Sequence, residues 1–173
     1  MPWSSIQGPT CALVIGARGG VGEAFVRMLE GCEQVERIYA TSRDTRWAHE
    51  APGGPKVERL EADITSDESL ERLSTHLKAQ GAAPSIVLNC SGLLHAGEVQ
   101  PERTWRELHG GRLQQVFAVN AIGPALAIKH LVPLMPRKER GLFITLSARV
   151  GSIGDNRLGG WYAYRASKAA QNM

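Results

Sequence analysis

Five short apolar runs, separated by stretches of helical periodicity, constrain this 173-residue chain more than any other feature. The runs are "CALVIGA" (11–17), "VERIYATS" (35–42), "KVERLEAD" (56–63), "SIVLNCS" (85–91) and "GLFITLS" (141–147). Between them lie helical patterns from about Gly20 to Glu30, from Ser66 to Gln80 behind the capping-type "TSDES", and from Leu113 to Met135. Strand and helix in alternation predict an α/β domain with a doubly wound parallel sheet. The length allows one domain, read as 1–173, with 43% hydrophobic and 21% charged residues. "HEAPGGPK" (49–56) and "GSIGDNRLGG" (151–160) read as surface loops.

The turn after the first run is "GARGGVGE", with Gly16, Gly20 and Gly22 spaced G-x3-G-x-G. Glycine there allows a tight turn and lets backbone N–H groups approach a diphosphate at the positive end of the next helix. The spacing differs from the commoner G-x-G-x-x-G, and no Gly-Lys-Ser/Thr follows to make a phosphate loop. A purely structural tight turn is the alternative. The second run ends in Ser42, Arg43 and Asp44, about 20 residues on, where such folds place the group that meets the adenosine ribose. Arg43, with Arg18 in the turn, suits a 2′-phosphate and favours NADP over NAD; Asp44 pulls the other way.

Near the C-terminal end, "AYRASKAA" has helical composition and sets Tyr164 and Lys168 four apart, on one face. Tyr162 is six from Lys168 and faces elsewhere. A free phenol ionises near 10, so acid–base work at neutrality needs a fall of roughly 3 pH units, about 4 kcal/mol in favour of phenolate. A nearby ammonium and a bound cationic nicotinamide supply such a bias.

With these pieces in order, the chain resembles the short-chain dehydrogenase/reductase family, through "GARGGVG", "EAD", "NCSG", "VNAIG" and "YRASK". The segment from Ser147 to Ala170 further resembles the branch of C-factor and sniffer-type carbonyl reductases. The resemblance implies a Rossmann-type sheet of strand order 3-2-1-4-5 and hydride transfer between a nicotinamide cofactor and a carbonyl or alcohol. It gives Tyr164 the proton exchange with substrate oxygen and Lys168 the nicotinamide ribose. Asn120 would hold a water in a proton relay, Asp63 would meet the adenine amino group, and Asn89 with Gly92 would line the cofactor after the fourth strand. The substrate-polarising serine falls on Ser147, at the end of the fifth strand, with Ser152 as its rival. "NCSG" departs from the family's two asparagines, alanine and glycine, and Ile15 replaces the usual threonine before the first glycine.

Family members continue with further strands and a substrate lid. The sequence ends at Met173 inside the tyrosine helix and is expected to be a C-terminally incomplete fragment, truncated after the fifth strand and its helix. Such a chain would leave "LFITL" as a bare edge and bind cofactor poorly; partner chains completing the sheet are the alternative. A non-catalytic nucleotide-binding or signalling protein is the rival function.

The formal charge of +3 is scattered, which argues against nucleic acid, and the N-terminal "MPWSSIQGPT" lacks a leader pattern. No apolar stretch is expected to cross a bilayer, a cytoplasmic location is expected, and the full-length protein is expected to form homo-oligomers. Cys11, Cys32 and Cys90 are expected to be free thiols, with Cys11 and Cys90 buried, and the histidines, among them His49, His76, His95, His109 and His130, to be surface or satisfied groups rather than metal ligands. The stripe Val119, Ile122, Ala125 and Ile128 reads as helix-packing core or, in this family, a dimer face.

Overall fold

The computed structural model describes residues 9–49 and 53–173; the leader reading of residues 1–8 and the middle of the "HEAPGGPK" loop lie outside them. Five parallel strands form one sheet in the order β3-β2-β1-β4-β5, as the resemblance implies. They are β1 (Thr10–Ile15), β2 (Val35–Ser42), β3 (Val57–Glu61), β4 (Ile86–Asn89) and β5 (Leu142–Thr145). The helices are α1 (Gly20–Glu30), α2 (Thr45–His49), α3 (Asp67–Ala79), α4 (Gly110–Phe117), α5 (Gly123–Leu131) and α6 (Tyr162–Asn172).

Successive strand residues point to opposite faces, so each apolar run feeds two cores. One core joins Leu13, Ile15, Tyr39 and Val87 to Leu70, Leu73 and Leu77 of α3 and to Ala127 and Leu131 of α5. The other joins Ala12, Val14, Ile38, Ala40, Ile86 and Leu88 to Leu29, Phe25 and Val26 of α1. Helices on both faces make the sheet doubly wound.

Strand register sets up the site. Ile15 pairs with Thr41 on one side and Asn89 on the other, and Asn89 pairs with Thr145, so four strands end in one row. The order reverses between β1 and β4, and the crevice beyond that switch point is where open parallel sheets take ligands.

The long helix predicted over 113–135 begins at Gly110 and is interrupted by a π turn, Ala118–Ile122, between α4 and α5, before a 3-10 turn at Val132–Leu134. Of the two expectations for the apolar stripe, helix-packing core and dimer face, the first is overturned: Ile122 is 54% exposed and Ile128 47%, while Gly123, Pro124, Ala127 and Leu131 are buried. The π turn adds a residue to one turn and rotates the α5 face that meets the sheet. The same stretch corrects a second expectation. Gly110–Leu134 is long and apolar enough by length and composition to cross a bilayer, yet here it lies along the sheet with Ala127 and Leu131 in the core.

Among the described residues no cluster of metal-binding side chains occurs. His76 and His130 are paired with Glu58 and Asp67, at 2.9 and 2.6 Å. The three cysteines are free and only half-buried, and burial pushes the Cys11 and Cys90 thiols up to about 11.

Candidate active site

Two structures face each other across the switch point: the glycine turn after β1, and the first face of α6 with the loop after β4. In the turn, Gly16 has a left-handed backbone, φ +77°, and a Cβ there would stand 2.9 Å from Ser91 Oγ and 3.0 Å from Ser91 N. The turn is thus pressed against the loop leaving β4. At Gly22 a Cβ would lie 2.3 Å from Gly16 O, so α1 and the turn touch backbone to backbone. Gly20 differs, because a Cβ there meets nothing within 4 Å. Neither packing nor a special φ demands glycine at Gly20.

At the end of β2, Ser42 Oγ accepts from Asp44 N at 3.1 Å, and Asp44 accepts from Trp47 N in α2 and pairs with the Arg18 guanidinium. Arg43 is exposed and makes no ion pair among the described residues. Asp63 follows β3 and accepts from the Thr65 amide and hydroxyl at 2.8 and 2.7 Å. The Trp47 amide, with Arg18 beside it, holds the Asp44 carboxyl below its usual range.

The other wall is held by side-chain hydrogen bonds. Asn120, fully buried in the π turn, accepts from Leu93 N at 2.7 Å through Oδ1 and donates to Leu93 O at 2.8 Å and Ser167 Oγ at 3.0 Å. One side chain thereby ties the β4 exit loop to α6. Asn89, also fully buried, donates to Thr145 Oγ1 at 3.1 Å and accepts from Ser91 N at 3.1 Å. Gly92 lies between these walls: a Cβ there would sit 3.8 Å from Asn120 Oδ1 and 3.9 Å from Lys168 Nζ.

Tyr164 and Lys168 share one face of α6, as their spacing predicts, with Lys168 Nζ 5.8 Å from the centre of the Tyr164 ring. Lys168 is only 3% exposed and donates to Leu146 O at 2.7 Å and Gln171 Oε1 at 2.8 Å. Gln171 in turn donates to Thr145 Oγ1 at 3.0 Å, so the ammonium is fixed against the end of β5. Ser147 lies two residues past β5 and donates to Asn172 Oδ1 at 2.5 Å; Ser152 follows the 3-10 turn Arg149–Gly151 and is exposed. Burial raises the Tyr164 phenol above 10.0 and lowers the Lys168 ammonium below 10.5. The fall of the phenol expected from the sequence is therefore not produced by the protein's own groups, since burial moves Tyr164 the other way.

Sequence reasoning missed Gln171, whose only sequence signal is its place three residues beyond Lys168, and α2, too short to show a period. It also missed Glu102, a buried carboxylate in the loop before α4.

A model of the family described as short chain dehydrogenase matches residues 10–173. The chain belongs to the short-chain dehydrogenase family. Within the family it is similar to 1-hydroxy-2-glutathionyl-2-methyl-3-butene dehydrogenase of Rhodococcus sp. strain AD45, 33% identical over 161 residues, 93% of this chain. Another relative, the NADPH-dependent pterin aldehyde reductase of Arabidopsis thaliana, is 23% identical over 87% of the chain. The chain spans only part of these longer relatives, 66% of the first and 61% of the second. Among solved structures, the Sniffer protein of Caenorhabditis elegans superposes with a TM-score of 0.85 at 29% identity, covering 96% of this chain and 76% of that one. A short-chain dehydrogenase/reductase of Burkholderia multivorans with bound NADP superposes with a TM-score of 0.77 at 27% identity, over 95% and 69% of the two chains.

Proposed function

We propose that the protein is an NAD(P)-dependent oxidoreductase of carbonyl and alcohol groups, using NADPH by preference, with Tyr164 as general acid and base. The observation that carries this reading is the shared face of Tyr164 and Lys168, locked by Asn120 and Gln171 opposite a glycine turn that leaves Gly20 open. The residues present fit a dinucleotide: the glycine cradle and the N-terminus of α1 suit its diphosphate, and Gly92 leaves room beside Lys168.

Gly16, Gly20 and Gly22 would take the diphosphate, Ser42, Arg43 and Arg18 the 2′-phosphate, Asp63 the adenine, Asn89 and Gly92 the central segment, and Lys168 the nicotinamide ribose. Arg43 favours NADPH because it makes no ion pair among the described residues, and the Burkholderia relative holds NADP. Arg18 must release Asp44 to contribute. When bound, the dinucleotide supplies the hydride to a carbonyl carbon.

The Tyr164 hydroxyl donates its proton to the carbonyl oxygen, which leaves as alcohol; in reverse the phenolate accepts it. Ser147 Oγ donates a hydrogen bond to the same oxygen once it turns from Asn172. Asn120 braces the loop and the helix against each other, and we add to that bracing the water-relay role its family position implies. Lys168 keeps a positive charge beside the ring, which favours phenolate when alcohol is oxidised.

Purified protein titrated with NADPH by fluorescence and assayed on a carbonyl panel tests the reading. Binding with NADPH-dependent reduction supports it. Binding without turnover points to a nucleotide-binding protein; weak binding is already expected of the chain as it stands, and carbonyl reduction that proceeds without either dinucleotide overturns the reading.

A further inference from the structure

The tyrosine helix begins in an unusual way. Gly159, Gly160 and Trp161 are all left-handed, with φ of +64°, +67° and +51°, and Trp161 is the one non-glycine residue among those described with positive φ. For a bulky side chain that conformation persists only where the surroundings impose it. Trp161 is also the N-cap of α6, yet tryptophan has no side-chain acceptor for the helix's open N–H groups.

Both demands are met by one residue, Glu102, 61 positions before Ala163 in the chain. Glu102 is 3% exposed, in the loop between β4 and α4. Its backbone oxygen accepts from Trp161 N at 2.6 Å, and its carboxylate Oε2 accepts from Ala163 N at 3.3 Å. The first grip holds the left-handed corner; the second supplies the missing cap, with negative charge at the positive helix end. Tyr164 is the third residue of that first turn, and the Trp161 ring meets its ring edge-on, centroids 6.4 Å apart at 76°.

We propose that Glu102 is a positioning residue that sets Tyr164 for proton transfer by capping α6 from the loop between β4 and α4. Its effect on turnover rests on the oxidoreductase reading; its effect on the helix does not. Reach, rather than charge, is what the geometry requires. Glu102→Gln keeps an acceptor at the same distance without charge, whereas Glu102→Asp keeps the charge one methylene short.

The test is amide hydrogen exchange at Tyr162–Arg165, read beside kcat and NADPH affinity in the two variants. The expected result is exchange faster by about 10-fold in Glu102→Asp, with kcat down about 10-fold and NADPH affinity unchanged, and both near wild type in Glu102→Gln. An Asp variant that behaves as wild type, or a Gln variant as impaired as Asp, overturns the proposal. If wild type itself shows no turnover, the reductase reading fails and the exchange data alone decide the cap by the same two criteria. Trp161→Gly separates corner from cap: relieved of strain, it is expected to keep slow exchange at Ala163, and fast exchange there would contradict the cap.

Discussion

The two walls of the cleft are built by opposite means. On the cofactor side the glycine turn works by absent side chains, with backbone against backbone at Gly22 and against Ser91 at Gly16. On the tyrosine side Asn120, Ser167, Gln171 and Glu102 work by side-chain hydrogen bonds that span 27 to 61 residues of sequence or pin one helix to β5. Where backbone meets backbone, at Gly16 and Gly22, the turn tolerates no added atom, whereas a wall of hydrogen bonds tolerates loss in graded steps. The comparison can be broken by experiment.

The largest effect belongs to Gly22→Val, which drives side-chain atoms into Gly16 O and leaves no flexible neighbour to move. Dinucleotide binding is expected to disappear with a drop of several kcal/mol in stability, read by chemical denaturation. Gly20→Ala sharpens the contrast, since space is open there: stability is expected to hold or rise by up to about 1 kcal/mol while NADPH affinity falls at least about 10-fold. Equal loss of stability in both variants would erase the distinction between a packing glycine and a ligand glycine.

That distinction also explains what could be read in advance. Strands follow from apolar runs whose alternation is local, and the observed β2, Val35–Ser42, coincides with its run. The glycine turn is equally local. The pairing of Tyr164 with Lys168 needs only helical spacing, so it too is legible, and matches the geometry. The partners of Asn120 and Glu102 are set by tertiary folding and leave no spacing signal. Of the two readings of the stripe through Ile122 and Ile128, the core reading fails because both side chains are exposed, and the π turn that shifts helical phase just before α5 is marked by no propensity.

Smaller effects test the tyrosine wall. Asn120→Ala removes three buried hydrogen bonds and strands the Leu93 amide, an expected cost of roughly 2–4 kcal/mol in denaturant unfolding, with the glycine side still able to bind nucleotide. Arg43→Asp is expected to shift the NADPH-to-NADH affinity ratio by about 10-fold towards NADH, without change in stability. An unchanged ratio would remove Arg43 from the 2′-phosphate site. The smallest signal is spectroscopic. Because burial raises the Tyr164 phenol, the difference in phenolate absorbance between wild type and Tyr164→Phe is expected to have its midpoint above pH 10.0. The sign carries into stability: a raised phenol contributes fully below pH 10 and is lost as pH rises, while the lowered Lys168 acts in the opposite sense below 10.5.

The most direct measurement is carbonyl reduction by Tyr164→Phe, with NADPH affinity determined on the same sample. The phenyl ring keeps its place against Trp161 and Lys168 and loses only the hydroxyl group. The expected result is a fall in kcat of at least about 100-fold with NADPH affinity within about twofold of wild type. Turnover unchanged by the substitution would contradict the assignment of Tyr164 as the acid.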